Sequence, residues 1–477
     1  MKKLIASILC ACTISSLLVG CGSTSDQADQ AGDTTAETQT DAESEESTES
    51  TGDAKTNADA DHVINVWAFT DEVPGMIEKY KELHPDFDYD INTTIIATTD
   101  GAYQPALDQA LASGGADAPD IYCAEAAFVL KYTQGDASQY AAAYEDLGID
   151  VATMTKDADI AQYTMDIGTN PDGKLVALGY QATGGAFIYR RSIAKDVWGT
   201  DDPAEITKKV GPGWDQFYNA AAELKAKGYG IVSGDGDIWH AVENSSDKGW
   251  IVDGKLNIDP KREEFLDLSK KLKDNGYHND TQDWQDAWFA DMKGEGAQQI
   301  FGFFGPAWLI NYTLAPNCGG EKVGEGTYGD WAVCEPPIGF FWGGTWICAA
   351  QDTDNASLVK DIMLKMTTDD DVMKDIVLDD DDFVNNNTVM NGLADGSIKA
   401  KDGKEYSSKI LGGQNPLSMY CAGVETLDLS NISAYDQGCN EEFQKAMKDY
   451  FEGNCDKDTA IETFKKAVCE KYPDISE

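Results

Sequence analysis

Apolar and polar positions first fall into a regular pattern at Val63-Ile64-Asn65-Val66-Trp67-Ala68-Phe69, a β-prone run that predicts a strand. Thr70-Asp71-Glu72-Val73-Pro74 follows and leads into a helical period, with Met76, Ile77, Tyr80 and Leu83 on one face. Thr70 or Asp71 suits the N-cap of that helix, with Pro74 in its first turn. Residues 89–97 read as a second strand, 98–101 as a turn, and 103–113 as a helix with Leu107 and Leu111 inward. Asp120-Ile121-Tyr122-Cys123-Ala124 is a third strand, with a helix over 126–132. Strand and helix alternating three times, with short connections, predict a parallel sheet covered on both faces. Ligands of such sheets sit beyond the carboxyl ends of the strands, which places Asp71, Glu72, Asp100 and Glu125 along one rim.

Further along, 180–191 is extended and contains Gly184-Gly185, where the chain leaves the first lobe. Residues 203–312 are mainly helical by pattern. They hold aromatic-rich turns around Trp239 and Trp250, and a helix with Trp284 and Trp288 four positions apart. A Gly- and Pro-rich stretch, 314–344, carries a strand over 331–335 and ends in Trp342-Gly343-Gly344-Thr345-Trp346. Helices return over 357–377 and 441–470. At 477 residues the chain is about three times a typical domain, so more than one lobe is expected.

The N-terminus differs from everything after it. Lys2 and Lys3 precede an apolar run from Leu4 to Gly20, too short for a transmembrane helix and suited to a signal peptide over 1–20. Leu18-Val19-Gly20-Cys21 resembles a bacterial lipobox, in which Cys21 becomes the acylated first residue; the alternative is a plain secretory signal. Residues 22–61 hold twelve acids against Lys55, with no aromatic or large aliphatic side chain, so 21–62 reads as a lipidated cysteine and a disordered acidic tether. The expected location is the outer face of the bacterial cell membrane, reached through a lipid anchor only.

Charge narrows the partners. With 84 acidic and 37 basic residues the net charge is -47, which repels phosphate backbones, so no nucleic acid is expected. Eight cysteines remain after Cys21, an even number that permits disulfides outside the cytoplasm; Cys318 with Cys334 is the sharpest candidate, the alternative being buried free thiols. No C-x-x-C spacing or histidine cluster calls for a metal, and no cofactor is expected. Gly324-Glu325-Gly326-Thr327-Tyr328-Gly329 matches a dinucleotide fingerprint in letters, but it precedes a strand instead of opening a helix. The acidic run 379–382 lacks the glycine and glutamate of a calcium loop and reads as a solvated helix end or loop.

Aromatic content, at 10%, points to carbohydrate. Sugar rings offer C–H faces that stack on indoles and hydroxyl edges that bond to carboxylates. Trp308, in Phe304-Gly305-Pro306-Ala307-Trp308, and Trp342 with Trp346, bracketing two glycines, are the candidate platforms; core packing is the alternative for each. Trp67, Trp198, Trp214 and Trp331 are expected in the core.

These segments together resemble the extracellular solute-binding proteins of ABC sugar importers (family 1). The resemblance runs from Val63 to Val468 through the first strand and its loop, Ala110-Leu111-Ala112-Ser113-Gly114, Ala118-Pro119-Asp120-Ile121, Tyr180-Gln181-Ala182-Thr183-Gly184-Gly185 and the two tryptophan segments. It implies an α/β, two-lobed periplasmic-binding-protein-like fold (type II) with the ligand cleft between lobes. Lobe 1 would be 63–180 plus 338–382, and lobe 2 would be 185–334 plus 385–477, joined by about three crossings. It further implies that Asp71, Glu72, Asp100 and Glu125 contact the sugar from the first lobe, with Gln181 as a further contact. Trp308, Trp342 and Trp346 would be platforms, with Trp250 and Asp237 as weaker contacts. Where many relatives carry a bulky aromatic residue near Glu125, this chain has Ala124 and Ala126. The implied function is capture of a carbohydrate, without chemistry on it, by a monomer that hands it to ABC importer membrane subunits. A polyamine or other small-solute receptor is the first rival, and a surface glycoside hydrolase the second.

Overall fold

The computed structural model describes residues 62–476, apart from 99, 100, 425, 426, 428, 430 and 431. Its strands are β1 (Val63–Ala68), β2 (Asp90–Ile95), β3 (Ile121–Glu125), β4 (Ala177–Gly179), β5 (Ala186–Arg190), β6 (Ile251–Val252), β7 (Lys255–Leu256), β8 (Gly302–Gly305), β9 (Trp331–Cys334) and β10 (Thr345–Ala349). They build one sheet for each lobe, in the order β2-β1-β3-β10-β4 and β8-β5-β9, and a small β6-β7 hairpin.

The alternation seen at the start of the folded chain is the centre of the first sheet. Ile64, Val66 and Ala68 are buried on one face of β1. On the other face Asn65 is buried too, and its backbone N–H donates to Asp120 Oδ2 at 2.8 Å while its side-chain amide donates to the Ala116 carbonyl. β1 pairs in parallel with β2 and β3. The sheet is not parallel throughout, as the sequence suggests: β10 runs antiparallel to both β3 and β4, pairing Thr345 with Glu125 and Trp346 with Gly179. β10 lies far along the chain and re-enters the first lobe from the second, so no local βαβ unit dictates its direction.

The second sheet is antiparallel, and its middle strand β5 is buried on both faces. Ile188 faces one hydrophobic cluster, shared with the first lobe, and Phe187 and Tyr189 face another. A strand covered on both sides has no polar alternation, which is why 186–190 reads as a continuous apolar run.

Three chain segments lie side by side between the sheets. In the first, Gly185 N–H donates to the Phe340 carbonyl at 2.8 Å, and the Thr183 carbonyl accepts from Trp342 N–H at 3.2 Å. Against the third, Ala182 N–H donates to the Phe383 carbonyl and Asn385 N–H to the Tyr180 carbonyl. A Cβ at Gly185 would stand 2.0 Å from the Phe340 ring, so only glycine allows this contact. Asp382, expected in a solvated helix end or loop, is instead buried in the third segment and accepts from Gln181 Nε2 at 2.5 Å.

Several helices differ from expectation, and caps explain most of it. The 357–377 pattern splits into Ala356–Thr367 and Asp370–Asp380, because Asp369 caps the second helix by accepting from the N–H groups of Asp371 and Val372. The 441–470 pattern splits likewise at Gly453, with a φ of +81°, before Asp456 caps Lys457–Lys471. Trp239 sits in a helix, Gly236–Glu243, where a turn is expected. Trp284 has a φ of +64°, so it precedes the Asp286–Lys293 helix and shares no helical face with Trp288.

Candidate functional site

A cavity of about 770 Å³ opens between the strand ends of the first sheet and the helices around the second. Glu72, the first residue of the Glu72–Leu83 helix, Glu125, the last residue of β3, and Gln181, on the first crossing, line it from one side. Glu125 Oε2 accepts from Ala127 N–H at 2.8 Å, which aims the carboxyl at the loop that follows the strand. Burial pushes the Glu72 carboxyl up to about 7, and the carboxylate of Asp382 adds to the shift. Burial likewise lifts Glu125 to about 7, against the relief of that backbone bond and with repulsion from Glu243.

The opposite side is aromatic. Trp308 follows the Gly305-Pro306 step at the end of β8, and its indole N–H donates to the Trp342 carbonyl at 3.1 Å. Trp342 lies on the middle crossing and packs against both hydrophobic clusters. Gly343, with a φ of +66°, allows the crossing to pass under Trp308, since a Cβ there would stand 3.3 Å from the ring. Trp284 is 50% exposed and lies parallel to Trp308, centroids 6.1 Å apart, while Trp342 meets both at steep angles of 61° and 63°.

Behind this group His240 stacks on Trp342 at 3.6 Å, and its Nε2 pairs with Asp283 Oδ2 at 2.8 Å. Gly236 makes room for Asp283, because a Cβ there would stand 2.8 Å from Oδ2. Glu243, one helical turn beyond His240, accepts from Asn440 Nδ2 at 2.7 Å, and burial raises its carboxyl. Asp436 is lifted to about 6 by burial, with Arg262 opposing the shift from outside the cavity lining.

The structure thus brings together Glu72, Glu125, Gln181, Trp308 and Trp342 from the expected set. Others stand elsewhere. Asp71 occupies the N-cap position of its helix, exposed and outside the cavity lining, and its side chain makes no capping bond. Asp237 is buried and accepts from the N–H groups of Ser233 and Gly234, so it shapes the turn before its own helix. Trp250 is fully buried between Arg262 and two phenylalanines, and its N–H donates to Asn440. Trp346 is in the core, its N–H on the Thr164 carbonyl. Asp100 and Cys21 lie outside the described residues.

The expected Cys318–Cys334 disulfide is not formed; both residues are thiols. Cys318 Sγ donates to the carbonyls of Ala315 and Gly320, while Cys334 lies at the end of β9. The glycine-rich loop is closed instead by Thr327, which donates to the Cys318 carbonyl and accepts from Trp331 Nε1. Three extended residues beyond Trp331 carry Cys334 about 10 Å further on. Among the described residues no group of three His, Cys, Asp or Glu is placed to hold a metal ion, and no helix is long and apolar enough to cross a membrane.

Sequence reasoning misses Trp284, His240, Glu243, Asp283 and Asn440. A signal for two of them existed: His240 and Glu243 lie three apart on one helix, a face rich in polar groups. Trp284 has no such signal, since its left-handed backbone breaks every period.

Solved structures share this architecture. An extracellular solute-binding protein of family 1 superposes with a TM-score of 0.69 at 17% identity, covering 86% of this chain and 99% of that one. The ABC-transporter-associated binding protein of B. animalis subsp. lactis, in complex with β-1,6-galactobiose, gives 0.63 at 21% identity, over 87% and 100% of the two chains. The galacto-N-biose/lacto-N-biose-binding protein of Bifidobacterium longum, in complex with lacto-N-biose, gives 0.64 at 14% identity, over 87% and 98%. At these identities the likeness establishes the two-lobed fold. No curated protein matches by sequence. The family model of the bacterial extracellular solute-binding proteins matches residues 75–402, most of the chain. This chain belongs to the bacterial extracellular solute-binding proteins.

Proposed function

We propose that this protein captures an oligosaccharide in the cavity between its lobes and delivers it to the membrane subunits of an ABC importer. The observation that carries the reading is the arrangement of Trp284, Trp308 and Trp342 opposite Glu72, Glu125 and Gln181. Indole faces accept the C–H side of a sugar ring, and the carboxyl and amide groups across the cavity accept and donate to its hydroxyl edge. A volume of about 770 Å³ lies in the upper half of the usual small-molecule range of about 300–1,000 Å³, which suits more than a single ring. The sugars held by the two bifidobacterial structures support the same ligand class.

Capture needs no bond to break. The ligand favours a closed state by the contacts it gains from both lobes, and selectivity follows from hydroxyls left unpaired when the wrong sugar enters. The protein works as a monomer, tethered to the outer face of the membrane through an acylated Cys21 after removal of residues 1–20.

A thermal-shift screen against oligosaccharides, with polyamines included, tests this. A ligand at a hundred times its dissociation constant stabilises by about 2.7 kcal/mol, which a melt resolves. A shift with one sugar class, and recovery of that sugar intact, supports capture without turnover; consumption of the sugar overturns it. Cys21→Ala is expected to release the protein from the membrane fraction, and retention there would refute the anchor.

A further inference from the structure

The cavity is strongly one-signed. Glu72, Glu125, Glu243, Asp283 and Asp436 line it, and among the described residues no lysine or arginine does. His240 pairs with Asp283, and Arg262 attracts Glu243 and Asp436 from behind. No cation offsets the shift of Glu72, Glu125 is relieved only in part by His240, which is already paired with Asp283, and Asp382 stands behind Gln181 as a further acid next to Glu72. Carboxyl groups withdrawn from water without a counter-charge are costly, and the protein supplies none on this wall. The facing wall carries the indoles of Trp284, Trp308 and Trp342, whose ring faces attract cations, beside His240 and the acids Glu243, Asp283 and Asp436. An independent observation concerns Trp239: it lines the cavity at 3% exposure, and its Nε1–H has no acceptor in the protein. Trp239 thus adds an unpaired polar donor to the cavity wall, held among Phe265 and Phe443.

We infer that the ligand is a basic oligosaccharide, one bearing at least one ammonium group that sits between the Glu72–Glu125 wall and the indoles. The inference rests on the carbohydrate reading above and adds the charge. The ammonium supplies the counter-charge that Glu72 lacks and that Glu125 has only in part, and the hydroxyls meet Gln181 on the same wall. With the carboxyls of Glu72 and Glu125 standing near 7 in the free protein, an arriving cation draws them into the ionised form and releases protons.

The test is calorimetric titration of the protein at neutral pH and low salt with matched pairs. One pair is the glucosamine tetramer and cellotetraose; the other is maltotriose with and without an amine in place of its terminal primary hydroxyl. Spermine serves as an amine without a sugar ring. An aminated member that binds about tenfold or more tightly than its neutral twin supports the inference. That preference is expected to shrink with added salt and in Glu125→Gln. The wild-type comparison does not depend on the variant's folding. Neutral sugars that bind as well as the aminated ones overturn the inference and leave the carbohydrate reading standing. Spermine binding with no sugar bound overturns the carbohydrate reading and the basic oligosaccharide with it. No binding by any of the amines overturns the inference.

Discussion

The two walls of the cavity are built on different principles. The first-lobe wall is small and acidic: Glu72 and Glu125 stand beside Ala126 and Ala127, and Glu125 is held by a backbone N–H. The facing wall is large and aromatic, and its parts hold one another: Trp308 donates to the Trp342 carbonyl, Trp342 stacks on His240, and His240 pairs with Asp283. The aromatic wall offers apolar contact area already fixed in place, whereas the acidic wall offers charge and hydrogen bonds that discriminate among ligands. Affinity is therefore expected to reside mainly in the indoles, and selectivity in the carboxyls.

Variants sharpen that division. Trp308→Ala removes a platform and is expected to weaken ligand binding about a hundredfold, as truncation of a central aromatic contact does, with the fold retained by circular dichroism. A loss of less than about threefold would move the affinity elsewhere. Glu125→Gln keeps the shape and removes the charge; a loss of about tenfold by calorimetry is expected, with a larger change in selectivity between sugars than Trp308→Ala produces.

The ligand-free protein should also report its acidic wall through pH. Glu72 and Glu125 are raised from 4.5 to about 7, and Asp382 and Asp436 from 3.8 to about 6, chiefly by burial. A carboxyl raised on folding gives stability that is present below its unfolded pKa and lost as pH climbs through the folded value. The melting temperature is thus expected to be higher at about pH 5 than at about pH 8, with a smaller difference in Glu125→Gln. A flat profile would show these groups to be solvated. The smallest effect is expected from Asp71→Ala, which alters an exposed side chain outside the cavity and should leave affinity within about twofold.

Much of the acidic wall was legible in the sequence because it follows from topology: Glu125 ends a strand, and Glu72 opens the helix after another, where ligands of α/β sheets bind. Trp308 and Trp342 were legible by residue type beside a Gly-Pro and a Gly-Gly step, and Gln181 through the resemblance. Trp346 was misread because the chain changes conformation between the two tryptophans. Trp342 belongs to a glycine-bent crossing, and four residues on, β10 turns Trp346 into the core. Trp250 and Asp237 look like ligand residues by type, yet Arg262 covers one and the N–H groups of a turn satisfy the other. His240 and Asp283 meet through contacts 43 positions apart, which no local pattern encodes. The divided helices were lost to aspartate caps inside otherwise continuous periods.

Trp342 lies on the middle of the three segments that pass between the lobes, bonded through its own N–H to the first. If the lobes swing about those segments, Trp342 sits close to the pivot, and points near a pivot barely travel. The carboxyls stand close to the same segments: Glu125 pairs with Thr345, three residues beyond Trp342, and Glu72 lies against Tyr180 and Asp382. Under such a swing the Trp342 indole and the carboxyls would keep their places relative to one another, so together they would set where a ligand rests while elements farther from the segments close over it.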